Sequence, residues 1–129
     1  MDAQLADLEN REHLLLLAAY FHGDQPGKVI HANCWRVLRQ ALIWTGLWCE
    51  ELERDEWNDP GSPVIDLWYQ TLIAMTRRKP KSKLLLEGGG NLGSPEDPPA
   101  YPKYTGCGLT RRGREFAEQL LGQYPQYRP

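Results

Sequence analysis

His31 and Cys34 stand three residues apart, and with Cys49 and Cys107 they would supply four ligands to a tetrahedral zinc ion. Zinc sites are usually assembled from close pairs, and neither Cys49 nor Cys107 has a partner at that spacing. The reading is therefore reduced, partly buried thiols and a surface histidine, with no metal and no cofactor. A Cys/His nucleophile would need a thiol of lowered pKa and a third orienting group, and the spacing supplies neither. Glu50, Glu51, Glu53 and Glu56 offer paired carboxylates for acid and base work. An acidic, solvated helix end explains them better. Gly88, Gly89, Gly90 and Gly93 suggest a phosphate loop, but no Gly-Lys-Ser/Thr follows them. No catalytic residue is assigned, and an enzyme is not expected.

Charge distribution points elsewhere. Residues 1 to 76 hold five Lys or Arg against twelve Asp or Glu, whereas residues 77 to 114 hold nine against three. An acidic body thus carries a basic segment, although the whole chain is only −2. Arg77, Arg78, Lys79, Lys81 and Lys83 form one cluster; Lys103, Arg111, Arg112 and Arg114 form the other. Cations gathered on one side would contact successive phosphates and bind nucleic acid in a salt-dependent way. A bland alternative exists for the first cluster, because positive charge at a helix C-terminus complements the helix dipole. Arg111, Arg112 and Arg114 fall at the start of a helix, where the dipole opposes them, so a functional cause is favoured there.

Elements must position these groups. A chain of 129 residues with 41% hydrophobic and 25% charged residues has the size of one domain, here assigned to residues 1–122 with an irregular tail at 123–129. Its longest apolar run, Leu14 to Phe21, falls well short of the roughly 20 residues that span a bilayer. No membrane association is expected. Met1-Asp2-Ala3-Gln4 carries no export pattern, so a cytoplasmic location is expected.

Helical spacing runs from Leu5 to His22, with Gly23 as a stop. Asn33 is a fitting cap for a second helix through Cys34, Val37, Leu38, Ala41, Leu42, Thr45, Trp48 and Leu52, with Gly46 as a weak point or bend. Ser62-Pro63 opens a third, and Pro80 ends it. Ser82 to Glu87 reads as a strand, Gly88 to Pro102 as a long loop, and Lys103 to Leu109 as the returning strand. Thr110 then caps a last helix whose apolar side is Phe116, Ala117, Leu120 and Leu121. The fold class is mainly α with a small β-hairpin.

Gly108-Leu109-Thr110-Arg111-Arg112-Gly113-Arg114, leading into Phe116 and Ala117, resembles the Leu-Thr-x-x-Gly-Arg passage by which winged-helix (winged helix-turn-helix) proteins leave the second wing strand. In such a passage Leu109 plugs the core, Thr110 caps, and Gly113 permits close approach of helix and strand. The resemblance implies three helices, a long two-stranded wing over residues 82 to 109 and a C-terminal helix. It places residues 62 to 78 at the recognition helix. The implied function is duplex-DNA binding, in a small transcriptional regulator, through the nine basic residues named above. Base readout would fall to exposed residues of the third helix, namely Asp66, Tyr69, Gln70 and Thr71. The alternative is a non-catalytic adaptor of the same shape that binds another protein. Trp44 and Trp57 are then the interface candidates, beside the acidic stretch, and the first helix is available for a homodimer.

Overall fold

A computed structural model of the chain describes residues 7–23, 32–48, 63–89 and 106–129. The order is α1 (Leu8–Gly23), β1 (Ala32–Asn33), α2 (Cys34–Trp44), α3 (Pro63–Met75), a 3-10 turn (Lys81–Lys83), β2 (Leu86–Gly89), β3 (Gly106–Leu109) and α4 (Arg111–Gln123). Mainly helical structure with a small antiparallel hairpin is therefore correct as an outline. His31, Cys49, the acidic stretch Glu50 to Glu56, Trp57, Ser62, Lys103 and the loop from Gly90 to Pro102 lie outside the described residues.

The first helix is the centre of the molecule. Asp7 caps it, its carboxylate accepting from the Asn10 N–H at 2.8 Å. Leu14 through Ala19 are each at most 3% exposed, and six consecutive buried residues mean that α1 is covered all round. Its neighbours are α2, α3, α4, β1 and β3. The Leu14–Leu17 run of the first helix, the helix considered for a homodimer, is thus covered by the protein's own core, while Leu8 at its start stays exposed. Polar ties fix α1 at its margins. Arg11 Nε donates to Thr71 Oγ1 at 3.2 Å, and His22 Nε2 lies 2.9 Å from Oε1 of the buried Gln40 amide.

The second helix ends at Trp44 rather than continuing to Leu52. Gly46 adopts φ 76°, the left-handed conformation that terminates helices. Around it Leu47 N–H donates to Leu42 O at 2.9 Å and Gly46 N–H to Ile43 O at 3.1 Å, so the last carbonyls are satisfied by a Schellman turn. The glycine expected to bend the helix stops it. A Cβ at Gly46 would meet no atom within 4 Å, which leaves backbone strain as the sole penalty. Gly46→Ala is accordingly expected to cost about 1 kcal/mol, read as a lower denaturant midpoint at unchanged slope.

Helix α3 buries Trp68, Tyr69, Thr71, Leu72, Ile73 and Met75 and exposes Gln70 and Ala74. Tyr69 at 2% and Thr71 at 6% exposure correct the assignment of both to base readout, since each faces the core. The helix stops at Met75, five residues before Pro80, and the Lys79–Pro80 peptide is cis.

The sheet has the order β1-β3-β2 and is antiparallel throughout. Ala32 pairs with Cys107 and Asn33 with Gly106, while Leu86 pairs with Leu109 and Gly88 with Cys107. Two expectations shift. Residues 82 to 85 are not strand, because Lys81–Lys83 coil into a 3-10 turn and the carbonyls of Leu84 and Leu85 turn to Thr110. Conversely, Gly88 and Gly89, read as loop, are part of β2.

The last helix runs through Gln123, one residue into the segment read as tail, and residues 124–129 pack on the body. Tyr124 and Tyr127 lean on the core. Tyr124 Oη donates to Asn10 Oδ1 at 3.1 Å, which leaves His13 Nδ1–H, 3.0 Å away, as donor to the same phenol oxygen. Burial, followed by the charges of Glu9 and its neighbours, raises the Tyr124 pKa above the ordinary phenol value. Trp44 Nε1–H donates to Arg128 O at 3.0 Å, and its ring lies 5.6 Å from that of Tyr127. Trp44 is thus half-buried beneath the protein's own tail, which corrects its assignment as an open interface ring.

Candidate nucleic-acid interface

The junction between β3 and α4 decides where the second basic cluster points. Thr110 makes four hydrogen bonds there, one of them from the Arg114 N–H to its carbonyl at 2.9 Å. Its hydroxyl donates to Leu84 O at 2.6 Å and accepts from the Gly113 N–H at 2.9 Å, and its own N–H donates to Leu85 O at 3.1 Å. The hydroxyl therefore caps α4 and ties its first turn to the segment that follows Lys83. Gly113 completes the joint, because a Cβ at that position would lie 1.9 Å from Leu85 O. Only glycine lets the helix approach so closely.

This joint brings cations from two parts of the chain to one place. A groove of about 430 Å³ is lined by Arg78, Lys83, Leu85, Arg112, Glu115, Phe116 and Gln119. Lys83 reaches it from the 3-10 turn and Arg112 from the first turn of α4, which contains no acidic residue. Arg77, Lys79 and Arg111 are exposed nearby in sequence, and Arg114 is half-buried. Arg111 and Glu115 form an ion pair at 3.5 Å, with 95% and 65% exposure; at that exposure it contributes little.

Arg78 departs from the expected set. Its Nη2 donates to both carboxylate oxygens of Glu12 on α1, to Oε2 at 2.7 Å, and Glu12 is only 15% exposed. Its charge is answered within the fold, so it serves the packing of α1 against the end of α3 before it serves any phosphate. Glu12→Gln is expected to return that charge to the surface. If this surface meets phosphate, low-salt affinity for duplex DNA should rise about threefold, with a salt dependence steeper by about one counterion. Unchanged affinity and slope would place Arg78 away from the contact surface.

Lys103 lies outside the described residues, and of Lys81 only the backbone is described. Gln70 stands exposed on α3, where Tyr69 does not. The sequence reading missed Glu12 as the partner of Arg78 and missed Phe116 and Gln119 as walls of the groove. Glu12 lies on α1 and Arg78 three residues beyond the end of α3, 66 positions apart, and no local pattern links them.

The thiol chemistry considered from sequence finds no support at the described positions. Cys34 and Cys107 are fully buried, and the Cys107 thiol is pushed well above its ordinary pKa by its hydrogen bond with Cys34 and by burial. A protonated, enclosed thiol is a poor nucleophile. Among the described residues no group of three His, Cys, Asp or Glu is placed to hold a metal ion, and no helix is long and apolar enough to cross a membrane. Comparison with known proteins returns no matching family model, no matching curated protein and no matching solved structure.

Proposed function

We propose that the protein is a winged-helix binder of duplex DNA, acting as a small transcriptional regulator, whose phosphate contacts come from Arg77, Lys79, Lys83, Arg111 and Arg112. The observation that carries this reading is the shared groove of Lys83 and Arg112, which joins the basic residues before the hairpin to those after it. Chain order supports it as well. A short strand between the first two helices, pairing with the far strand of the hairpin to give β1-β3-β2, is the order a winged helix uses. In this reading α3 is the recognition helix and Gln70 is its exposed amide, suited to the edge of an adenine. The hairpin of β2 and β3 belongs to the wing in this reading.

Regulation by an adaptor of the same shape rests on exposed tryptophan. Of the described tryptophans, Trp35 and Trp68 are buried, Trp44 is half-buried beneath the tail, and Trp48 is half-buried with Arg39 over its ring.

Titration of the protein with labelled random duplex DNA across a salt series tests the proposal. Affinity should fall linearly on a log–log scale, with a slope near −4 to −5 for five phosphate contacts at about 0.9 counterion each. No binding at low salt would remove it.

A further inference from the structure

Residues 124–129 run from the middle of α1 to the ends of two helices. Tyr124 is their fixed point, its hydroxyl bonded with Asn10 and His13 and its ring 5.7 Å from the His13 ring. The backbone then turns, Tyr127 N–H donating to Tyr124 O at 3.2 Å. Beyond the turn the segment rests on Phe21 in the last turn of α1 and on Trp44 at the end of α2, whose rings meet edge to face at 6.1 Å. The Tyr127 ring lies 5.6 Å from that of Trp44, the Arg128 guanidinium stands 5.5 Å over the Phe21 ring, and Trp44 Nε1–H donates to Arg128 O at 3.0 Å. Three kinds of contact thus converge on two side chains of the body: ring on ring, cation on ring, and indole N–H on a main-chain carbonyl.

We propose that Phe21 and Trp44 form a seat for a peptide segment of a protein partner in which an aromatic residue is followed directly by arginine, with Tyr127 and Arg128 of this chain filling it as a stand-in. The seated tail defines the chemistry that the seat accepts. Trp44 Nε1–H takes a main-chain carbonyl whatever the side chain, so it holds the backbone, while the aromatic ring and the guanidinium select the sequence. An acidic residue in place of the arginine would meet the negative face of the Phe21 ring and lose that contact. The cover is replaceable because its outer part is held at the surface. Pro125, Gln126 and Arg128 are exposed, and the other hydrogen bonds of Arg128 go to carbonyls of its own segment, those of Tyr124 and Tyr127. Being tethered, the tail competes at an effective concentration in the millimolar range, so a partner displaces it only with a segment of matching chemistry. None of these residues belongs to the basic set assigned to duplex phosphate, and the seat stands apart from that reading.

The test is an NMR titration of the full chain carrying Tyr127→Ser and Arg128→Ser, which vacates the seat, with the peptide Tyr-Pro-Gln-Tyr-Arg-Pro. The comparison peptide is Tyr-Pro-Gln-Ser-Ser-Pro. The first peptide should shift the Trp44 indole and Phe21 ring signals saturably and bind about tenfold more tightly than the second. The parent chain should bind it more weakly, on the order of fivefold, because its own tail competes. No shift at those signals with millimolar peptide, equal binding of the two peptides, or equal binding by parent and variant would each overturn the proposal. So would a concentration-dependent dimer of the parent with exchanged tails, since the seat would then belong to a second copy. Both substituted residues lie outside every helix and strand, so the body stays folded, as amide signals of Leu14 to Ala19 overlaying those of the parent will show.

Discussion

Gly113→Ala is expected to destabilise the protein by about 3 kcal/mol, the upper part of the range for forcing extra volume into a packed site. The three atoms nearest an added Cβ all belong to the Leu85 backbone, at 1.9, 2.9 and 3.2 Å. No side chain can rotate away to make room. Leu85 O also accepts from Thr110 N–H, and the next residue, Leu86, pairs with Leu109. Relief of the clash must therefore pull α4 off the hairpin or break the first rung of the sheet. Thermal unfolding should show a loss of roughly 10 to 15 °C, taking about 4 °C per kcal/mol for a chain of this size. Gly122→Ala supplies the control. That glycine lies in the same helix with nothing within 4 Å, and the substitution should raise stability by a fraction of about 1 kcal/mol through helix propensity. A Gly113→Ala protein as stable as the parent would contradict the description of the joint.

The second large effect concerns binding. Lys83→Gln combined with Arg112→Gln removes the two cations that meet in the groove. Each phosphate contact contributes about 0.9 to the salt slope, so the slope should become shallower by about 2, and at 0.1 M salt the affinity for random duplex should drop of the order of 50-fold. Both side chains are exposed, so stability should change by less than about 0.5 kcal/mol. That combination separates loss of contact from loss of fold. A Lys79→Gln, Arg77→Gln protein should lose affinity to a similar degree if the end of α3 belongs to the same surface. If it does not, the contact surface is confined to the joint of α4.

Legibility in the sequence followed the range of the physics. The passage from Leu109 to Gly113 was readable because cap, glycine and apolar spacing are local, and the structure adds what the glycine is for, namely the carbonyl of Leu85. The end of α2 was misjudged because Cys34 to Leu52 keeps helical spacing straight through Gly46, and periodicity does not register a left-handed residue. β1 escaped notice because two residues carry no alternation. Tyr69 and Thr71 were taken as exposed because neighbouring positions on α3 differ in burial only through what packs against them. Trp44 is covered by a tail 84 positions away, and the Glu12–Arg78 pair is similarly remote. Of the proposed site, the clustering of charge was visible in the sequence, whereas the meeting of Lys83 with Arg112 required the turn at Lys81–Lys83 and the Thr110 joint.

The most direct measurement is the set of backbone amides perturbed when the isotope-labelled protein is titrated with a duplex of about two helical turns, some 20 base pairs, at low salt. The account predicts shifts concentrated in residues 70 to 89 and 106 to 114, with Arg77, Lys83 and Arg112 among the largest, and little change along Leu14 to Ala19. Shifts centred instead on α2 or the C-terminal tail, or a spectrum that the duplex leaves unchanged, would contradict it.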